Sequence, residues 1–502
     1  MGNAYIMVVL GILAAKGLGF FRDMVFAGAF GTGVMADIYF QIFGLVNLIF
    51  TGIGVALSTL VIKNINKSEN IGREKAYAAG FLRKSTVYLI IAAAVMAVIS
   101  PQIVRVILPE ISGEEFKLAV KLMYVMLPSM IFVVIAYIIS GVLQNEKAYF
   151  ITSVMSLPFN VIIILALRIP DVSIFTIGIV TTIGWFLHIA ILLPSFYKKG
   201  YSFTVRDKNA KVKSGRNDEI IYIFISNMMF QLCFYADRAF VSGTDGMAAT
   251  FNYASNLFVT ISSVFVVAMS NVVFPSVSKN YEEGNVDYVN ELVRYIITIM
   301  SAIFLPFVLV VGLFGKDIIR LVYERGSFTS ESTAAVAVIF FIYSLGILGY
   351  VAQELFNKVL YLAGKYKYTV IGTVAVIALN MACNFAIKHT FGNTLEYADS
   401  GVSMSSVLVA VTTAVLLCGY AVFVAFGMKK VVGAYWKKDL LRDLLKIFVA
   451  GVLAALVYVA FNSINPEFTH GYVTFVIPLC ACGAVYLAAL LASGVLKRLM
   501  KR

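Results

Sequence analysis

The chain has 502 residues, 60% of them hydrophobic and only 13% charged, with a mean hydropathy of +0.89. Soluble domains run at roughly 45 to 50% apolar and about 25% charged, so composition excludes a soluble globular protein and requires a polytopic membrane protein. The net charge of +13 does not imply nucleic-acid binding, because basic residues of membrane proteins collect in cytoplasmic loops.

A helical crossing needs about 20 mostly apolar residues, since lipid offers the backbone no hydrogen-bond partner. Fourteen such stretches follow one another, near residues 4 to 30, 36 to 62, 77 to 100, 116 to 143, 149 to 168, 173 to 196, 219 to 242, 247 to 277, 288 to 314, 332 to 360, 367 to 388, 401 to 427, 444 to 462 and 470 to 496. The predicted fold class is therefore an all-α polytopic membrane protein. The first stretch lacks a basic n-region and a small-residue cleavage site and is expected to stay in the mature protein. With a cytoplasmic N-terminus, the even-numbered connections and the C-terminal tail carry most of the basic residues, including Lys198, Lys199, Arg206, Lys208, Lys211, Lys213 and Arg216. The opposite side holds Arg105, Lys117, Arg168, Lys316, Arg320, Arg325 and Lys388. The positive-inside rule then puts both termini in the cytoplasm.

The longest polar connection, Tyr197 to Glu219, separates six stretches from eight and reads as a linker between lobes. Gly31-Thr32-x-x-Met35-Ala36 recurs as Gly243-Thr244-x-x-Met247-Ala248, each time between the first two stretches of its half. An even number of spans between the copies implies parallel repeats, the arrangement that forms a midplane cavity between lobes; chance similarity among small residues is the competing explanation.

The chemistry begins in the first stretch, where Lys16, Arg22 and Asp23 interrupt an otherwise apolar run. An ionisable group at membrane depth costs at least about 2.5 kcal/mol on insertion scales and normally faces a cavity or a partner. Lys16 and Asp23 lie two helical turns apart and share a face, whereas Arg22 points elsewhere unless the helix bends near Gly17 or Gly19. The functional reading is a cationic lining for a phosphate-bearing substrate, with Asp23 orienting an arginine; the alternatives are an interhelical salt bridge or snorkelling to an interface. Asp237-Arg238 repeats the theme in the seventh stretch. Asn380 and Asn384, one turn apart, with Ser405, Ser406 and Asp237, are oxygen ligands of the kind a hard cation prefers, and the same side chains equally suit helix-to-helix hydrogen bonding.

Absent signals narrow the class. Gly312-Leu-Phe-Gly315-Lys316-Asp317 fails the phosphate-loop spacing, so ATP is not expected as a partner and transport would draw on an ion gradient, the membrane potential or the substrate's own gradient. All five cysteines fall in apolar stretches and the three histidines lie far apart, so neither a disulfide framework nor a transition-metal site is expected. No Asp-x-Asp pair and no nucleophile–base constellation appears, which favours a transporter over an enzyme.

Four segments in order then resemble one family: Leu18-Gly-Phe-Phe-Arg22-Asp23 with Phe30-Gly-x-Gly33-x-x-Ala36-Asp37; Phe274-Pro-Ser-Val-Ser-Lys279 with Gly284-Asn285; Tyr323-Glu-Arg-Gly-Ser-Phe-Thr329; and Tyr361 to Asn384. They are similar to the MurJ (MviN) lipid II flippases of the multidrug/oligosaccharidyl-lipid/polysaccharide exporter superfamily. The resemblance implies about 14 transmembrane helices in a V shape around a central cavity. The N-lobe would cover residues 1–216, the C-lobe 217–430, and a terminal helix pair at 431–502 would line a groove for the lipid tail. It further implies a monomer of the bacterial cytoplasmic membrane that moves an undecaprenyl-pyrophosphate-linked peptidoglycan precursor from the inner to the outer leaflet by alternating access.

Carried over by position, Lys16 stands where an arginine is usual, and Arg22, Asp23, Asp37 and Asn47 match the family's substrate-facing residues. Asp237, Asn380 and Asn384, with Ser406 nearby, fall where some members hold a coupling Na+. The family's basic pair in the second span is replaced by Phe50-Thr51, and its Ala-Asp-Arg in the eighth reads Ala254-Ser255-Asn256, leaving Arg238 as the candidate to restore the lost charge. These departures keep a related polysaccharide-lipid flippase and a cation-coupled multidrug exporter in view, and an integral-membrane transferase acting on the same lipid is the enzymatic rival.

Overall fold

The computed structural model describes residues 2–66, 70–205, 218–242, 245–391, 401–433 and 435–500. Every regular element among them is an α-helix, and the chain divides into two compact units, Met1–Ala249 and Thr250–Arg502. The first unit contains α1 (Gly2–Phe30), α2 (Val34–Ile65), α3 (Glu74–Ile107), α4 (Gly113–Asn145), α5 (Tyr149–Ser153), α6 (Leu157–Ala166), α7 (Ile174–Lys198) and α8 (Asp218–Val241). The unit boundary falls in the first turn of α9 (Met247–Val272), which is followed by α10 (Phe274–Glu282), α11 (Val286–Tyr323), α12 (Ser330–Leu345), α13 (Ile347–Leu362) and α14 (Tyr366–Phe391). The second unit ends with α15 (Met404–Val432), α16 (Lys438–Ile464), α17 (Pro466–Thr469), α18 (Val476–Ala492) and α19 (Val495–Met500).

Each expected stretch coincides with a helix or a broken pair. Among the described residues, nine helical segments are long and apolar enough to cross a bilayer, and α12 with α13, bent by 42° around Gly346, make a tenth. Large apolar side chains stand fully outward, Val98 at 77% exposure and Ile464 at 84%, a surface that lipid solvates and water does not. Most of the expected linker between lobes, including Arg206, Lys208, Lys211, Lys213 and Arg216, lies outside the described residues, as do Gly243 and Thr244 of the repeated motif.

In the first unit α4 is the central helix, packed against α2, α3 and α7. Small residues let the backbones approach, as membrane helices require where no hydrophobic drive separates protein from lipid. A Cβ at Gly141 would stand 2.9 Å from the Ser58 carbonyl oxygen, locking α4 against α2. The α8 helix, which the sequence assigns to the second lobe, sits in this unit against α2 and α3. Asp37, in the first turn of α2, accepts the backbone N–H of Gly246 at 2.8 Å and of Ala249 at 2.6 Å, so its carboxylate caps the positive end of α9. The start of the linker is strapped down as well: Arg83 donates to the carbonyls of Phe203 and Val205 at 2.7 and 2.9 Å. Tyr201 donates to Glu146 at 2.8 Å, and burial, with that carboxylate beside it, raises the phenol above its ordinary range and keeps it a donor.

In the second unit α13 packs on α15, where a Cβ at Gly349 would come within 2.7 Å of the Cys418 Cα. The helices α16 and α18 pack on each other and on α11 around Phe314, Ile447, Phe475, Tyr486 and Leu490. The C-terminal end of α11 is tied to this pair by buried Asp317, which meets His470 Nδ1 at 2.7 Å while His470 Nε2 shares a hydrogen bond with the Tyr458 hydroxyl at 3.1 Å. Arg320 adds a bond to the His470 carbonyl at 3.0 Å.

Replacing Gly349 by Val should force α13 from α15, because the obstructing atoms are backbone and cannot rotate away. A loss of about 1–3 kcal/mol is expected, read as a lower melting temperature of the detergent-solubilised protein. An unchanged melting curve would show that this contact is not tight.

Candidate functional site

A cavity of about 650 Å³ opens inside the first unit, walled by α1, α2, α4, α5, α6 and α7. Lys16 and Arg22 from α1 and Asn47 from α2 line it, together with Phe43, Phe159, Asn160, Trp185 and His188. Its described lining holds two basic side chains and no carboxylate.

Arg22 is held from several sides. Its Nε and Nη2 donate to Asp23 Oδ1 at 3.0 and 2.6 Å, and its Nη1 donates to Asn160 Oδ1 at 3.2 Å. The guanidinium carbon stands 5.5 Å from the Phe159 ring centroid and 5.9 Å from that of Phe43, within cation–π range of both. A planar, delocalised cation suits that setting: faces on aromatic rings, edges in hydrogen bonds. Asp23 is held behind Arg22 and is not itself part of the lining. The helical-wheel expectation that Lys16 shares its face with Asp23 and not with Arg22 is thus replaced by a cavity that both bases line. The long arginine side chain reaches across the helix surface to Asn160.

Asn160 reaches this position because the helix breaks between α5 and α6. Ser156 and Pro158 restart it, and the Asn160 amide donates back to the Ser156 carbonyl at 3.1 Å, which aims its oxygen at Arg22. Asn47 donates to the Phe43 carbonyl at 3.1 Å, while its Oδ1 is buried with no hydrogen-bond partner. The ring nitrogens of Trp185 and His188 are likewise buried without partners, and the His188 ring packs on Trp185 and Phe159. The cavity therefore combines basic side chains with the Trp185 indole N–H and a His188 ring N–H, donors of the kind an oxygen-rich anionic group accepts from, while the Asn47 Oδ1 is an acceptor suited to an O–H or N–H.

The sequence passed over Asn160, Phe43, Phe159, Trp185 and His188. A signal existed for two: Asn160 follows a proline in an apolar stretch, and His188 is an ionisable residue within another. Nothing in the one-dimensional pattern marks the aromatic partners.

The remaining expected residues lie elsewhere. Asp37 has both oxygens on the backbone amides at the start of α9. Arg238 is buried on α8, stacked over Tyr235 with its centre 5.5 Å from the ring and packed against Gly44 of α2, and it does not belong to the described lining of this cavity. Asp237 is buried in the first unit, whereas Asn380, Asn384 and Ser406 belong to the second. There Asn380 donates to Thr413 at 2.8 Å and Asn384 to Asn380 at 3.4 Å, linking α14 to α15, while Ser406 shares a hydrogen bond with Ser403, the residue capping α15, at 2.9 Å. These oxygens suit a hard cation and already serve as hydrogen-bond glue.

Comparison with known proteins follows the same direction. The family model described as "Lipid II flippase MurJ" matches residues 26–479. A curated relative from Rhizobium tropici, named "Probable lipid II flippase MurJ", is 25% identical over 412 residues, covering 78% of this chain and 76% of that protein. One of the same name from Buchnera aphidicola subsp. Baizongia pistaciae is 22% identical over 504 residues, covering 95% and 94%. Among solved structures, "Lipid II flippase MurJ, inward closed conformation" superposes with a TM-score of 0.77 at 21% identity, covering 99% of this chain and 100% of that one. An inward-facing multidrug transporter of the MATE family gives 0.62 at 14% identity, covering 85% and 99%. With a match running across nearly its whole length, this multi-pass membrane chain belongs to the lipid II flippase MurJ family.

Proposed function

We propose that this protein is a lipid II flippase of the bacterial cytoplasmic membrane, carrying the undecaprenyl-pyrophosphate-linked peptidoglycan precursor from the inner to the outer leaflet by alternating access. The observation that carries the proposal is the Arg22 guanidinium, clamped by Asp23, Asn160, Phe43 and Phe159 on the wall of a cavity that Lys16 also lines. A diphosphate dragged bare through hydrocarbon would lose its hydration at a cost of order tens of kcal/mol. A cavity lined by fixed cations replaces that hydration with charge-assisted hydrogen bonds.

In this reading the pyrophosphate meets Lys16 and the open edge of Arg22, Asp23 keeps the guanidinium in place, and Trp185, His188 and Asn47 bond oxygen and N–H groups of the head group. The protein binds and releases without altering a covalent bond, acts as a monomer with both termini in the cytoplasm, and uses no ATP. Asp37 would serve the conformational cycle by holding the start of α9, and Arg238 would add positive charge from α8. Asn380, Asn384 and Ser406 in the second unit, and Asp237 in the first, would each be candidate oxygen ligands for a coupling Na+. A cation-coupled drug exporter would favour acidic lining, and the described cavity wall has none.

The decisive experiment is complementation of a strain depleted of its own lipid II flippase, which this protein should rescue and its Arg22→Ala variant should not. Arg22→Lys retains charge but loses the planar fork and the ring stacking, and its flipping rate in vesicles should fall about tenfold. Normal growth on Arg22→Ala would remove Arg22 from the head-group role. His188→Phe keeps the ring packing but deletes both nitrogens; head-group affinity should weaken about fivefold with the protein still folded, as measured by retention of a labelled lipid II analogue. Replacing sodium with choline should slow transport by the wild type and not by Asp237→Asn; equal rates in both buffers would retire the cation site.

A further inference from the structure

The cavity inside the first unit extends well past its cationic wall, and the extension has a different chemistry. Along α1 the lining runs from Arg22 through Lys16 to Ile12 and Val8, the last about 21 Å from Arg22. Along α2 it runs from Phe43 to Thr51, about 12 Å further on. The α5 helix lies against α1 at this end, where a Cβ at Gly11 would collide with Ser153 Oγ. The described lining holds no carboxylate, and its bases are Lys16, Arg22 and His188, the last packed on Phe159 at the arginine end. Beyond Lys16 the wall is neutral.

Neutral here does not mean apolar. A threonine in mid-helix ordinarily bonds back to its own backbone, as Thr59 of α2 does to the Val55 carbonyl at 3.0 Å. Thr51, half-buried on the cavity wall, has no hydrogen-bond partner among the described residues. Ser156 opens α6 without capping it, so its hydroxyl is not spent on the helix. The phenols of half-buried Tyr137 and exposed Tyr149 also lack partners among the described residues. These four hydroxyls each bring a proton and lone pairs to the cavity. Thr152 and Ser153 add acceptors, because their protons go to the Tyr149 and Phe150 carbonyls at 2.9 and 2.7 Å and their remaining lone pairs stay open.

We propose that this neutral end is a saccharide subsite, which recognises the sugar of the lipid-linked substrate while Lys16 and Arg22 hold its diphosphate. The inference rests on the flippase reading and adds to it which part of the head group occupies which part of the cavity. A sugar presents hydroxyls that both donate and accept, around C–H faces that pack on aromatic rings. Hydroxyl groups set among the Tyr137 and Tyr149 rings complement both features. A peptide brings at least its terminal carboxylate, for which this end has no cation. A hydrocarbon tail would leave the hydroxyls unpaired.

The test is to titrate the full-length protein in detergent with three radiolabelled ligands: undecaprenyl diphosphate, the same lipid carrying a peptide-free disaccharide, and one carrying sugar and peptide. The wild type should bind the disaccharide lipid about tenfold more tightly than the bare diphosphate, with no comparable further gain from the peptide. Thr51→Val and Tyr149→Phe each delete a hydroxyl with little change of shape; each should cut that ratio about fivefold, and the double variant should bring it near unity. Arg22→Lys should weaken all three ligands together and keep the ratio near its wild-type value. A wild-type ratio in the double variant, equal binding of bare and sugar-bearing lipid by the wild type, or a gain that appears only with the peptide would overturn the subsite and leave the Arg22 reading standing. Failure of the wild type to bind any of the three would remove the flippase reading and the subsite with it. Melting curves matching the wild type show that a fallen ratio is lost recognition and not lost folding.

Discussion

A guanidinium inside a bundle of membrane helices stays charged only if something replaces its water, and the Arg22 cavity is built around that requirement. The replacement is assembled from three directions: a carboxylate from the next residue, an amide oxygen from α6, and two aromatic faces from α2 and α6. Asp23 offsets the guanidinium's charge while Asn160 and the two rings replace its water, and Lys16 adds a second basic group to the wall. Remove the break between α5 and α6 and Asn160 no longer points at Arg22. The irregularity in that short helix pair is therefore part of the electrostatics.

The all-α class and the order of the apolar helices were legible because apolar length is a one-dimensional property. The charges of the first helix were legible because lipid makes them rare. What could not be read was which faces meet. Asn160 stands 138 residues from Arg22 in sequence, and it is placed by a helix that restarts just before it. Asp37 announced itself as a carboxylate near a helix start, but the amides it holds belong to α9, which no local pattern reveals. Arg238 read as a second-lobe cavity residue from its place in the seventh stretch, whereas packing sets it against Gly44 within the first unit. Seven-residue spacing on an ideal helix paired Lys16 with Asp23, and the reach of a long side chain overrode it.

The two ends of α11 illustrate how polar groups anchor a helix too long for the hydrocarbon. At one end Asp317 and His470 join it to the turn after α16; at the other Tyr295 holds the backbone of α19. Between them lies an apolar core centred on Phe314 and Tyr486. Polar bonds at the rims and dispersion contacts in the middle divide the work according to where water is available.

The Asp37 clasp bears on how the polypeptide could be divided. Because α8 packs on α2 and α3, and the amides opening α9 are gripped by a carboxylate of the first unit, the peptide bonds joining α7 to α8 are not what keeps these segments together. Two separately translated pieces divided in that connection would have these same contacts to join them. Between α1 and α2, by contrast, a turn of three residues ties the two helices directly and sets the register of the cationic wall.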